Sequence, residues 1–543
     1  MRKRVPFLLL VRMNQSSIQR FAFLILLASG ALQFGAFARW PGSPDADVVH
    51  SIFAAYNFVT GGHLQSINLY PQDTDNLARH AQIYWMTHWP PAHSWLYALM
   101  MWLGLSAGAA TKLLGLLCII GGGIGWIRLA TVLGGSRICA AVVAAGYPWI
   151  WFVARTYIDY KNDHLACALV PWVYLGVVQM TPSPAKVGWT RLIATALLAG
   201  STILVKYSLA PVLAATGLYF LWLEGRSLTF TVEKMLRVAI FSAGLVLPGA
   251  LLWLANRAWG LGSYPLQNTG LTPQRLNYIY FISNTFSNTF GAPTGWSALL
   301  TQLNIALESY LRLPLFRGSI FAISSMFMTI WGVAFLRTMW TVRQLHFLQY
   351  MCLLTTILWA SLFMLDAGAN RFYLPIGFGW IVLGAVALDK MPWNSLIRSV
   401  RFYSLAVPLL FSFFFYAATG LFGHRYATMP NSKIWWQFED YDQDHAAFLS
   451  RLMKERGRGP DLVVTQQYNV MVELRAPIYW RYKFLSDRTF YSSKNLEVWA
   501  MIEPDDEKIF LSEFRKASAL ESVAVPPGFP FKFYILTFDA KNE

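Results

Sequence analysis

Apolar runs long enough to cross a bilayer recur along this chain, and no other feature restricts its fold so severely. A hydrocarbon core about 30 Å thick takes roughly 17–25 apolar residues in a helix. Runs close to that length lie near 21–38, 109–133, 137–154, 163–180, 191–205, 207–223, 236–256, 319–337, 345–365, 371–388 and 402–420. Of the residues, 55% are hydrophobic and only 13% charged, more apolar surface than a soluble domain could hide.

The placement of basic residues orients these runs. Arg2, Lys3, Arg4, Arg12 and Arg20 precede the first, and Ala38-Arg39-Trp40-Pro41 follows it without a small-residue cleavage site. It reads as a retained span with the N-terminus in the cytoplasm. Counting from there puts Arg128/Arg137, Lys186/Arg191, Arg226/Lys234/Arg237, Arg337/Arg343 and Lys390/Arg398/Arg401 at inner ends, provided that the apolar run 92–106 does not cross. If it crossed, every later basic loop would face out. It therefore reads as a short helix along the outer surface, and 39–108, 155–162, 257–318, 366–370 and 421–543 lie outside.

The net charge of +16 belongs to the membrane part, because 422–543 holds 16 Lys and Arg against 17 Asp and Glu. The excess is topogenic and is not a nucleic-acid patch. Residues 1–421 thus form a transmembrane domain, and 422–543 an extracytoplasmic one large enough for its own core. A helix-like His445–Lys454, a stop at Gly457 and Gly459-Pro460, and the strand-like Leu462–Thr465 predict an α/β domain there. Cys118, Cys139, Cys167 and Cys352 all fall in predicted spans, so the tail has no disulfide of its own. The Gly121-Gly122-Gly123-Ile124-Gly125 cluster sits mid-span, where close helix packing is the reading.

Polar residues that can carry chemistry gather at the outer face. Asp45 and Asp47 open a helix with Val48, Ile52, Ala55 and Val59 at helical spacing, where carboxylates also simply favour a helix start. Arg155, Asp159, Lys161, Asp163 and His164 crowd the second outer loop, a costly place for ionisable groups unless it is a solvated interface. Lys206 lies between two apolar runs, and Arg371 follows Asp366 in a short outer turn. Either can bind an anion or snorkel as an anchor. Carboxylates, cations and hydrophobic helices at one membrane face suit a lipid-linked phosphosugar: a carboxylate takes the acceptor proton while fixed cations stabilise the departing phosphate.

Several segments resemble a known family, in its order, over roughly residues 20–390. His88-Trp89-Pro90-Pro91-Ala92-His93-Ser94-Trp95-Leu96 resembles the Pro-Pro-Leu segment of the GT-C glycosyltransferases, particularly the family 39 protein mannosyltransferase and aminoarabinose transferase group. Asp47 with Ala55-Tyr56-Asn57-Phe58-Val59-Thr60-Gly61 is similar to the first-loop pattern of that group. Val205-Lys206-Tyr207 is similar to its Ser/Thr-Lys-Tyr segment, and Asn370-Arg371-Phe372-Tyr373-Leu374-Pro375 to its Arg-Tyr-Leu-Leu-Pro segment.

The resemblance implies an all-α polytopic membrane protein of GT-C type, with about 11 transmembrane helices and surface helices in the first outer loop, plus a small C-terminal α/β soluble domain. It implies a hexosyl- or pentosyltransferase of the cell envelope that moves a sugar from a polyprenyl-phosphate donor, with inversion, to a lipid, polysaccharide or protein acceptor. The location implied is a bacterial inner (plasma) membrane. Asp47 matches the acidic position of the first loop and is the first choice for the carboxylate that orients or deprotonates the acceptor, with Asp45 able to substitute. The acidic residue of the second loop corresponds to Asp163, which directly precedes the apolar run, or to Asp159. Lys206 and Arg371 would contact the lipid phosphate, helped by His88 and Arg155. Where the family pairs Asp with Glu this chain has Asp47-Val48, which names no certain cofactor and leaves a divalent metal open. A transporter or flippase of lipid-linked sugars would also need a lipid groove and cations, but calls for repeated halves and mid-membrane polar residues, which this chain lacks. An inactive scaffold finds support only in Val48.

Overall fold

The computed structural model describes residues 7–38, 46–59, 90–149, 163–180, 187–226, 231–259, 443–465, 478–479, 496–502, 504–513, 519–527 and 531–538, with isolated helical positions between 350 and 389. The runs near 319–337 and 402–420 lie outside the described residues, and Cys352 does too.

Within the described residues the long apolar runs are helices. In chain order these are α1 (Phe7–Ala38), α2 (Ala46–Val59), α3 (Ala92–Trp102), α4 (Ala107–Val132), α5 (Arg137–Gly146), α6 (Asp163–Met180), α7 (Trp189–Gly200), α8 (Thr202–Val205), α9 (Ala210–Gly225) and α10 (Val232–Trp259). Among the described residues, five helical stretches are long and apolar enough to cross a membrane: Ser17–Phe34, Ala107–Val132, Asp163–Met180, Tyr207–Gly225 and Val232–Ala255. Two shorter apolar stretches, Arg137–Gly146 and Trp189–Val205, accompany them. Their outward faces are apolar, with Leu24, Leu32, Leu117, Ile193, Leu218, Leu221, Val246, Leu251 and Trp253 all exposed. So large an exposed apolar surface needs lipid as its solvent, and the chain is an integral membrane protein.

The run 92–106 is indeed short. α3 has 11 residues, about 16 Å at 1.5 Å per residue and half of what a crossing needs. It is closed by Gly104 at φ +93, a conformation that few residues other than glycine adopt. α3 packs on α2, whose Val48, Ile52 and Ala55 form the buried stripe expected from their spacing. Trp95, Leu99 and Trp102 face outward from α3, a spacing that puts all three on one side.

Small residues let the helices approach. α4 packs against α6 and α1, and α1 packs against α5. A Cβ on Gly122 would lie 2.8 Å from the Ala168 backbone, one on Gly123 2.4 Å from Leu26, and one on Gly125 2.9 Å from Pro171. The mid-span glycine cluster is thus a packing surface. Indole donors tie the same helices: Trp126 Nε1 donates to the Cys167 carbonyl at 3.3 Å, and Trp172 Nε1 to that of Gly121 at 3.0 Å. Gly122→Ala is expected to lower stability by about 1–3 kcal/mol through overpacking against backbone. Gly121→Ala, with nothing within 4 Å of its added Cβ, is expected to leave stability unchanged or slightly raised; thermal unfolding in detergent compares the two.

Arg237 and Glu224 form a buried ion pair at 3.1 Å between α10 and α9, and Arg237 also donates to the Val187 carbonyl at 3.0 Å. Both the backbone N–H and the hydroxyl of Ser136 donate to the Asp389 carboxylate at 2.6 Å. Phe378, from the same stretch as Asp389, sits edge-on to Trp126 with ring centres 4.9 Å apart. Phe378 thus packs on α4.

The tail is α/β, as its pattern predicts. Helix α11 (Gln443–Arg456) ends at Gly457 with φ +72, and strand β1 (Leu462–Thr465) follows. With β2 (Ile478–Tyr479), β3 (Leu496–Ile502), helix α12 (Glu507–Glu513), β4 (Ala519–Val523) and β5 (Lys532–Phe538), it builds a sheet of order β2-β1-β3-β5-β4. β1 runs parallel to β2 and β3, while β5 is antiparallel to β3 and β4. Val463, Val464, Trp499, Phe533 and Ile535 form its core, with Phe448 of α11 edge-on to Phe533.

Candidate functional site

Several of the described polar residues meet at one place, where α3, α6 and α8 come together. Its centre is a break in a helical hairpin. α7 and α8 run to Val205, Lys206 is extended at φ −160 and ψ 130, and the 3-10 turn Tyr207–Leu209 leads into α9. Pro211 sits in the first turn of α9. It has no N–H, and its ring would collide with the residue 207 carbonyl if helix ran through, so the chain must break before it. The Lys206 N–H donates to the Thr202 carbonyl at 3.0 Å, and its own carbonyl accepts from Leu209 N–H at 3.0 Å, so the break leaves its backbone satisfied.

The extended backbone aims Lys206 at α6, where its ammonium group pairs with the Asp163 carboxylate. Asp163 is the first residue of α6, where the helix dipole favours a negative charge. It is 1% exposed, while Lys206 is 14% exposed and reaches the surface of the site. A carboxylate this deep is tolerable because the lysine compensates it.

Two imidazoles share the location. His164 follows Asp163 and is buried, and His93 in the first turn of α3 is buried too. Their rings meet edge-on with centres 5.6 Å apart, and Tyr97 lies 6.5 Å from His93. Below Asp163 on the same helix, Cys167 lies within electrostatic reach of both Asp163 and Lys206. The hydroxyl of Ser208, two residues after Lys206, is buried with no hydrogen-bond partner among the described residues.

Of the sequence-predicted residues, Asp163 and Lys206 are thus brought together, 43 positions apart. Asp47 is the second residue of α2, the helix that packs on α3. Asp45, His88, Arg155, Asp159 and Arg371 lie outside the described residues. Among the described residues no three His, Cys, Asp or Glu converge as metal ligands. The sequence pattern passed over His93 and the meeting of His93 with His164; the one signal available was a histidine flanking each of two polar outer segments, 88–94 and 155–164.

Neither a family model nor a curated protein sequence matches the chain. Solved structures do. ArnT from Cupriavidus metallidurans, in its apo state, superposes with a TM-score of 0.53 at 12% identity, over 95% of this chain and 97% of that one. Arabinofuranosyltransferase AftD from Mycobacteria gives a TM-score of 0.49 at 15% identity, over 95% of this chain and 42% of that one. The chain shares the fold of ArnT nearly end to end, in agreement with the resemblance carried by its outer-loop segments.

Proposed function

We propose that the chain is a membrane glycosyltransferase that moves a sugar from a polyprenyl-phosphate donor to an acceptor hydroxyl at the outer membrane face, with inversion. The observation that carries this reading is the lysine at the hairpin break, held by a buried carboxylate at one end of an apolar bundle with the ArnT fold. A cation in that position can meet a phosphate whose lipid tail lies along the exposed apolar helices.

In the proposed reaction the acceptor oxygen attacks the anomeric carbon from the face opposite the phosphate. Asp47 accepts the hydroxyl proton, with Asp45 beside it in sequence. The bond from the anomeric carbon to the phosphate oxygen breaks and its electron pair leaves with the lipid phosphate, whose charge Lys206 and Arg371 stabilise. Asp163 aims Lys206, and Asp159, His88 and Arg155 serve as further outer-loop contacts to acceptor and phosphate. The acceptor class is a lipid, a polysaccharide or a protein.

Purified protein is expected to transfer sugar from a polyprenyl-phosphate-linked donor, and Lys206→Ala to weaken donor affinity as well as rate, because a phosphate contact exists before and in the transition state. Movement of the lipid-linked sugar across vesicles without transfer would instead identify a transporter. The reading also requires the N-terminus inside and both 40–92 and 422–543 outside, in the inner membrane of a bacterium. A single cysteine at Ser432 is expected to react with an impermeant maleimide on intact cells; reaction only after permeabilisation would overturn both the topology and the placement of the site.

A further inference from the structure

A hydroxyl buried in a membrane helix ordinarily meets a carbonyl one turn back. Thr111, Thr202 and Thr216 do so, donating to the carbonyls of Ala107, Ala199 and Val212 at 2.9, 2.7 and 2.7 Å. Ser208 does not. It is 5% exposed, and its hydroxyl has no hydrogen-bond partner among the described residues. The break explains why: Ser208 is the second residue of the 3-10 turn Tyr207–Leu209, and the extended Lys206 before it interrupts the helical path that would bring the Leu204 carbonyl within reach. Leaving a buried hydroxyl unpaired is costly, and a ligand oxygen can complete it.

The same turn favours an anion. Tyr207–Gly225 is a helical stretch of 19 residues that begins directly after Lys206. The first N–H groups of a helix have no carbonyl of a preceding turn to meet, and the aligned peptide dipoles place partial positive charge at that end. Lys206 adds a full charge one residue earlier.

We infer that Ser208 is a second ligand of the donor phosphate: its hydroxyl donates to one oxygen of the polyprenyl phosphodiester while Lys206 meets the other, with the start of the Tyr207–Gly225 helix behind both. The inference rests on the proposed role of Lys206 as a phosphate ligand. A phosphodiester spreads one negative charge over two oxygens, and a hydrogen bond to a charged acceptor is stronger than one between neutral groups. A lysine alone is a point charge on a flexible stem and leaves the phosphate free to turn. The hydroxyl adds a second, fixed contact and so holds the leaving group in one orientation. Because the hydroxyl is covered, the side chains around the turn must shift as the phosphate enters, an adjustment common at binding sites.

One substitution should therefore have two opposite effects. Ser208→Ala removes a hydroxyl that pairs only when phosphate arrives, so the variant is expected to unfold at the temperature of the unmodified protein or above it. Its affinity for the phosphodiester should fall roughly 10- to 100-fold, the usual worth of a hydrogen bond to a charged group. A hydroxyl with a purely structural role would do the reverse, lowering stability and leaving affinity alone.

The test uses the full chain in detergent, with thermal unfolding and calorimetric binding measured on the unmodified protein, Ser208→Ala, Tyr207→Phe and Lys206→Ala. The probe is decaprenyl phosphate methyl diester, with decaprenol and dimethyl phosphate supplying the chain and the headgroup alone. The loss in Ser208→Ala is expected for the diester and not for decaprenol. Unchanged diester affinity in Ser208→Ala, with weakened binding in Lys206→Ala, overturns the inference and leaves the proposed function standing. Equally tight binding in Lys206→Ala overturns the phosphate reading and the inference with it. The phenol of Tyr207 is also buried with no partner among the described residues, and a loss in Tyr207→Phe that Ser208→Ala does not share overturns the assignment to Ser208. Dimethyl phosphate bound as tightly as the diester overturns the assignment to a lipid-linked ligand. Failure of Ser208→Ala to fold overturns the inference too, since a hydroxyl without a partner cannot be what holds the turn.

Discussion

Asp47→Asn is expected to lower the turnover of sugar transfer roughly 10²–10⁴-fold, the usual consequence of removing a general base, with folding and donor binding nearly intact. The substitution keeps the size of the side chain and its place as the second residue of α2. If Asp47 only favoured the start of that helix, its loss would be worth about 0.3–1 kcal/mol of stability and nothing in rate. Rate and unfolding temperature measured on the same preparation therefore separate the two roles. Normal turnover in Asp47→Asn with loss in Asp45→Asn would shift the correspondence to the family by two residues and keep the mechanism. Activity in both single variants and in the double variant would make these carboxylates helix-end charges, and the acceptor site would have to be built around Asp159 and Asp163.

Much of the membrane architecture is legible in the chain because the bilayer imposes a length and the cytoplasmic side attracts cations. The reading of 92–106 as a segment that does not cross rests on the placement of Arg128, Arg137, Lys186 and Arg191 alone, and α3 has the short length that such a reading asks for. The stripe of Val48, Ile52 and Ala55 and the strand Leu462–Thr465 are legible for a similar reason: periodicity reports burial within one element. Boundaries are less so. The first apolar run begins at residue 21, yet α1 begins at Phe7 and carries Arg12 and Arg20 inside it, since a helix that leaves the hydrocarbon has no need of apolar side chains.

Partners across long separations are not legible, because neither charge nor period names the residue opposite. Lys206 and Arg371 look alike in sequence, as lone cations between apolar runs. Only the extended backbone at Lys206 and the hairpin that carries it show that Lys206 reaches Asp163. Arg237 reads only as an inner-end charge, and nothing in the sequence shows that it is buried against Glu224 and also holds the Val187 carbonyl. In the tail, no local signal specifies that β1 runs parallel to β3 while β5 runs antiparallel to it.

The Lys206–Asp163 pair should separate stability from activity. Lys206→Met removes the cation that pairs with Asp163, a carboxylate at 1% exposure; breaking a buried pair from one side costs about 3–5 kcal/mol. Asp163→Asn is expected to cost less, because Lys206 is 14% exposed and its long side chain can carry the ammonium group outward. Asp163→Asn/Lys206→Met removes both charges, and its loss of stability is expected to fall well short of the sum of the single losses, since residues in direct contact are not additive. Activity should follow a different rule. If Lys206 meets the donor phosphate, the double variant regains stability but not transfer, and Asp163→Asn, with the lysine freed of its competitor, binds the phosphodiester more tightly than the unmodified protein while its rate is impaired by the loss of aim. If the pair were only a clasp between α6 and the hairpin, the double variant would regain stability and transfer together. A double-mutant cycle by chemical denaturation, run beside transfer assays on the same four proteins, distinguishes these outcomes, and recovery of both properties in the double variant would remove Lys206 from the donor site.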